Sequence, residues 1–210
     1  MPTEIIGLML TLGAAGAVAG ITAGLFGNGG GFVVVPALVF VFSILGDPTA
    51  DLMYVAIGTS LATIVISSAR AVQAHRARGA VDFDVLKSWS LWLILGVGLG
   101  LAVASVTDSQ MLYAVFAGGV FVYSMYFMFP HALDRLQLNA SMPTGIPRAG
   151  LASFLGGFSS LLGIGGGTIT VITMVTCRRP VYQAVATASG VGFIIGLSGA
   201  IGFILLGLGK

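Results

Sequence analysis

The sequence has very little charge. Of its 210 residues, 9 are Lys or Arg and 7 are Asp or Glu, so 8% of the chain is charged and the net charge is only +2. A soluble domain carries about 25% charged residues, and this shortage excludes a water-facing surface over most of the chain. It also leaves no concentrated basic patch, so nucleic acid is not an expected partner. There is one cysteine, Cys177, and there are two histidines, His75 and His131, far apart in sequence. That spacing excludes a disulfide framework and gives no metal-ligand cluster. The aspartates sit in turns and polar connections, so a Ser/His/Asp catalytic arrangement has no support. No acidic residue lies deep in an apolar segment, although a proton-coupled or cation site commonly leaves one there. Neither enzyme chemistry, a metal nor a cofactor is expected.

What the chain has in place of charge is apolar length. Hydrophobic residues make up 57% of it, with mean hydropathy +1.05. Apolar segments cover residues 5–45, 52–74, 89–106, 111–129, 149–176 and 181–208, separated by short polar punctuation. The reading is an all-α integral membrane protein, multi-pass, with the lipid bilayer as its main surroundings. The start, Met1-Pro2-Thr3-Glu4, lacks the basic residues of a cleaved signal peptide, so the first apolar segment is read as part of the mature fold. Residues 1–130 form a first membrane repeat, 131–148 a polar linker with Pro143 and Pro147, and 149–210 a second, shorter repeat.

Two of the apolar segments are interrupted in the same way. One carries Gly27-Asn28-Gly29-Gly30-Gly31 before Phe32, and the other Gly163-Ile164-Gly165-Gly166-Gly167 before Thr168. Three consecutive glycines each cost a helix about 1 kcal/mol relative to alanine, and in lipid an unwound backbone must find partners without water. The arms around the second break, 149–162 and 168–176, are too short to cross a bilayer that needs about 20 residues. They predict a re-entrant hairpin. The leading arm of the first break, 5–26, is long enough to cross, which leaves that repeat ambiguous on length alone. Charge arbitrates. With both broken elements as hairpins, Arg70, Arg76, Arg78, Lys87, Arg135, Arg148, Arg178 and Arg179 fall on one side, and Glu4, Asp47, Asp51 and Asp108 on the other. The positive-inside rule favours that arrangement. The expectation is an inverted repeat with two broken, re-entrant helical hairpins.

Broken helices meeting near the midplane are a transporter architecture. A short helix restarting after each break presents amides without intrahelical partners and a partial positive charge, and glycine lets a ligand approach them closely. The expected substrate site comprises Asn28, Gly29, Gly30, Gly31, Thr59, Ser60, Gly165, Gly166, Gly167, Thr168, Thr187 and Ser189, with a small anion as the partner. Thr59 and Ser60, and Thr187 and Ser189, occupy matching small-residue helices one element after each break. Arg70, Arg178 and Arg179 are read as electrostatic guides, with snorkelling as the plainer role for Arg70. Cys177 reads as an inert filler at a helix end. Two other readings stay open: a passive anion channel on the same breaks, or a structural membrane subunit whose glycines serve only packing.

These doubled breaks, Val35-Pro36 after the first, and the polar stretch 75–82 between the second and third helices resemble the TauE/SafE sulfite exporter family. The resemblance covers the whole chain. It implies export of small sulfur-containing anions, such as sulfite or organosulfonates, across the bacterial inner membrane without a cofactor. Ile172 stands where the first copy has Pro36. Family members usually continue with two further helices, so a homodimer in which a partner copy completes the wall is a further expectation.

Overall fold

The structure is a computed structural model and describes residues 2–26, 30–45, 52–128 and 142–208. Among these residues it is all-helical, with eight helices and no strand. They are α1 (Pro2–Phe26), α2 (Gly31–Leu45), α3 (Leu52–Arg76), α4 (Phe83–Ser105), α5 (Ser109–Met128), α6 (Gly145–Leu162), α7 (Gly167–Thr176) and α8 (Val181–Leu208). Three of them, α3, α4 and α8, are long and apolar enough to cross a membrane.

Local chemistry sets the helix boundaries. The apolar run that predicts a helix from Trp89 is extended back to Phe83, because Asp82 caps it: its Oδ1 accepts from the Val85 amide at 3.2 Å. Asp84 in the first turn suits the helix dipole. The last four residues of the expected linker are likewise helical, since α6 starts at Gly145 with Pro147 in its first turn, where the missing N–H of proline costs nothing. Residues 129–141, which hold most of that linker, and 46–51, with the acidic turn, lie outside the described residues.

Two helix pairs make the frame. α4 lies along α6, and α3 lies along α8. Both contacts are close because glycine faces backbone. A Cβ on Gly156 or on Gly96 would collide with the carbonyl of Leu93 or Ser153 respectively, and one on Gly157 would stand 3.0 Å from the Gly96 carbonyl. Between α3 and α8, a Cβ on Gly196 would sit 3.2 Å from the Leu61 carbonyl. In lipid, where apolar side chains gain little by leaving their surroundings, such close backbone approach is what drives helices together. Trp89, Leu93, Met53, Ile57, Leu61, Leu155 and Ile195 fill the centre. Ile66, Leu99, Phe121, Phe154 and Ile204 point outward, an apolar exterior that suits acyl chains.

The short helices pack onto this frame. α2 rests on α3, and α7 on α8. α7 has ten residues, about 15 Å at 1.5 Å per residue, half of a 30 Å hydrocarbon core. Arg148 in the first turn of α6 and Arg179 just after α7 line one cavity. The two ends of the second broken element thus open on the same cavity.

Candidate functional site

The second break is built from two left-handed glycines. Gly163, at φ 65°, closes α6, and Gly166, at φ 67°, opens α7. The amide of Gly163 donates to the Ser160 carbonyl at 3.3 Å, and that of Ile164 to the Ser159 carbonyl at 3.0 Å. These bonds satisfy carbonyls that a helix end leaves open. At the start of α7 the amide and the hydroxyl of Thr170 both donate to the Gly166 carbonyl, at 3.3 and 3.0 Å. No side chain caps this helix. Its first amides therefore point into the break with the positive end of the dipole behind them.

Two hydroxyls stand beside these amides. Ser159 Oγ and Thr168 Oγ1 are buried and have no hydrogen-bond partner. Ser159 is fully enclosed and Thr168 only 6% exposed. A Cβ on Gly166 would lie 3.0 Å from Ser159 Oγ, so this serine reaches the glycine that opens α7. Buried hydroxyls are nearly always paired in native proteins. Here two buried hydroxyls beside uncapped amides are left without an acceptor.

The first break comes up against the second, backbone to backbone. A Cβ on Gly31 would collide with the Gly163 carbonyl oxygen and lie 3.0 Å from Ile164 Cα. Gly30, at φ 78°, is pressed against its own leading arm, 2.6 Å from the Ala19 carbonyl for an added Cβ. Ser60, on α3, donates from Oγ to the Gly163 carbonyl at 2.8 Å, tying the helix after the first break to the second break. Val35 and Ile57 close over Gly163, while Phe32 stacks edge-on against Tyr123 with centroids 4.8 Å apart.

Gly30, Gly31, Ser60, Gly165, Gly166, Gly167 and Thr168 are all buried; Gly31 and Ser60 meet Gly163 directly, Gly166 lies beside Ser159, and Gly30 faces Ala19. Asn28 and Gly29 lie outside the described residues. The remaining predicted residues are elsewhere. Thr59 is exposed and lines a groove of about 390 Å³ between α3 and α8 with Tyr54, Gly58 and Phe203. The Thr187 hydroxyl accepts from the Asp82 amide at 3.0 Å, so it fixes the connection between α3 and α4. Ser189 donates to the Val185 carbonyl one turn back at 3.1 Å. Arg70 is exposed and contacts Gln73 at 3.4 Å. Arg178 occupies an exposed left-handed turn at φ 61°, and Arg179 pairs with Asp82 at 3.5 Å.

Sequence reasoning passes over Ser159 and Ser68. Ser159 is one helical turn before Gly163, a spacing that sets its side chain over the break. Ser68 Oγ lies 2.9 Å from the position of a Cβ on Gly192, which itself abuts the Gly165 carbonyl at 3.3 Å. No sequence signal singles out Ser68.

The family profile described as Sulfite exporter TauE/SafE matches residues 12–209, both breaks included. The protein belongs to the TauE/SafE sulfite exporter family. Relatives agree at the level of transport. A probable membrane transporter protein of Haemophilus influenzae is 32% identical over 196 residues, covering 93% of this chain and 73% of the relative. One from Methanocaldococcus jannaschii is 28% identical over 202 residues, covering 96% and 74%. The probable membrane transporter protein YunE of Bacillus subtilis is 29% identical over 218 residues, covering 91% and 77%. No solved structure matches the chain. This TauE/SafE member is a multi-pass membrane protein of a transporter family, a class that is not enzymatic.

Proposed function

We propose that the protein carries small sulfur-containing oxyanions, such as sulfite or organosulfonates, out across the bacterial inner membrane, by alternating access around the joined breaks. The observation that carries this reading is the pair of orphaned hydroxyls, Ser159 and Thr168, beside the uncapped start of α7. An oxyanion offers several acceptor oxygens and a negative charge, and can accept from both hydroxyls and from the helix amides at once. A cation would meet the positive end of the dipole and hydroxyl groups without a carboxylate. The family match supports transport and the sulfite class. The backbone contact between Gly31 and residue 163 supports a site shared by both repeats, because movement of one break alters the other.

Sulfite uptake into proteoliposomes, driven by a preset sulfite gradient, tests the reading. Saturable flux that is lost in Gly166→Val, with the variant still inserted and helical, is the expected result. Unchanged flux in that variant would overturn the site. Flux that rises linearly with concentration, without saturation, would replace the carrier with a channel.

A further inference from the structure

The helices of the frame meet in two ways. Inside the pairs α4/α6 and α3/α8, glycine faces backbone: Gly156 and Gly96 stand against the carbonyls of Leu93 and Ser153, and Gly196 against that of Leu61. Backbone packed this closely has no flexible end to give way, so each pair is a rigid unit. The pairs meet each other mainly where α4 packs on α8. There glycine faces the tips of leucine side chains. A Cβ on Gly190 would lie 2.5 Å from a Leu86 methyl, and one on Gly202 would run into a Leu101 methyl. Leucine tips can change rotamer, so this contact can tilt. Although α3 and α4 are consecutive, they make little contact along their lengths.

The two ends of this divide are held differently. At the basic end, the connection 77–82 joins the pairs covalently, the Asp82 amide donates to Thr187 and the Asp82 carboxylate pairs with Arg179. At the opposite end, the Tyr54 hydroxyl at the start of α3 reaches the end of α4. It shares its proton between the carbonyls of Ala104, at 2.8 Å, and Thr107. One turn further along α3, Ile57 lies against Gly163, and Ser60 donates to the Gly163 carbonyl. The second break itself straddles the divide. Ser159 belongs to α6, while Thr168 belongs to α7, which rests on α8.

We infer that the α4/α6 and α3/α8 pairs are two bodies hinged at the basic end, with the Tyr54 hydroxyl as the gate at the other. When Tyr54 lets go of α4, the pairs part towards Ile57 and the second break. An oxyanion that accepts from both Ser159 and Thr168 bridges the two bodies and draws them together. That last step rests on the proposed transport; the hinge and the gate do not.

Thiol labelling of the full chain in lipid nanodiscs, where both faces are open to the reagent, tests the gate. Cys177, the one cysteine of the chain, is replaced by Cys177→Ser. Ile57→Cys then sets a reporter behind Tyr54, at a fully buried position. Ala56→Cys, equally buried, is the second reporter for use where the first disturbs the fold. A membrane-impermeant maleimide should label the introduced thiol slowly in this background. Tyr54→Phe keeps the ring beside Phe203 and removes the hydroxyl. Labelling should then quicken about fivefold, the population shift for one lost hydrogen bond. Thr187→Val loosens the hinge end instead and should leave the rate unchanged. Sulfite should slow labelling in Tyr54→Phe. An unchanged rate in Tyr54→Phe overturns the gate, even with a lower Tm, because Tyr54 is then a structural tie. An equal rise in Thr187→Val also overturns it, since the reporter then reads general loosening. A faster rate that sulfite does not slow keeps the gate and removes the proposed anion site.

Discussion

The two glycine breaks share a sequence pattern and a left-handed glycine just before the restarting helix, Gly30 and Gly166, and differ in what surrounds it. In the register that pairs Gly30 with Gly166, Ser159 falls opposite Ala23, Thr168 opposite Phe32 and Thr170 opposite Val34. The second break is therefore ringed by hydroxyls, two of them buried and unpaired. The first is followed by Phe32 against Tyr123 and by Val35 over Gly163. The difference teaches that one glycine pattern can stand in two different chemical surroundings. One copy offers donors, and the other supplies an apolar wall pressed against them. Ser60 joins the two by donating to the Gly163 carbonyl.

That comparison can be broken at the contact itself. Gly31→Val puts a side chain into the backbone of residues 163–164, which has no flexible end to move aside. Overpacking of this kind costs about 1–3 kcal/mol or more. Transport should fall below detection in proteoliposomes, and the melting temperature should drop. Wild-type flux in this variant would mean that the breaks do not need to touch.

The chemical asymmetry is tested next. Ser159→Ala combined with Thr168→Val should raise the KM for sulfite by about 10- to 100-fold, the effect of losing one or two hydrogen bonds to a charged group. Ligand-free stability should hold or rise, because unpaired buried hydroxyls are removed. Phe32→Leu, at the matching position of the first break, should lower Tm through lost packing with Tyr123 and leave KM close to wild type. Equal KM changes in both would abolish the division between donor break and wall.

The smallest effects separate positions that look alike in sequence. Ser60→Ala removes the bond to Gly163 and should cost about 1 kcal/mol of stability, with a lower maximal flux. Thr187→Val removes the acceptor for the Asp82 amide and should cost a similar amount with flux unchanged, read by melting and transport on the same preparations.

Much of the fold was legible in the chain. Low charge and long apolar runs dictate membrane helices, and the short arm after residue 167 dictates a return to the starting side. The helix starts at Phe83 and Gly145 were less legible, because a cap such as Asp82 and a first-turn proline such as Pro147 extend helices into polar sequence. The doubled motif points to Gly30, Gly31, Ser60, Gly165, Gly166, Gly167 and Thr168, all of which are buried. Thr187 and Ser189 could not be separated from them, since matching positions on matching helices carry no record of which way each hydroxyl turns.

The sequence by itself determined where the chain must unwind, because runs of glycine disfavour a helix wherever they occur, and it determined the surroundings, because apolar composition selects lipid. Only the tertiary structure decided which hydroxyls are left without partners. Ser159 and Thr168 are orphaned, Ser60 is bound to Gly163 and Thr187 to Asp82. Hydrogen-bond satisfaction depends on which groups from distant parts of the chain arrive within 3 Å or so of one another, and no local pattern specifies that.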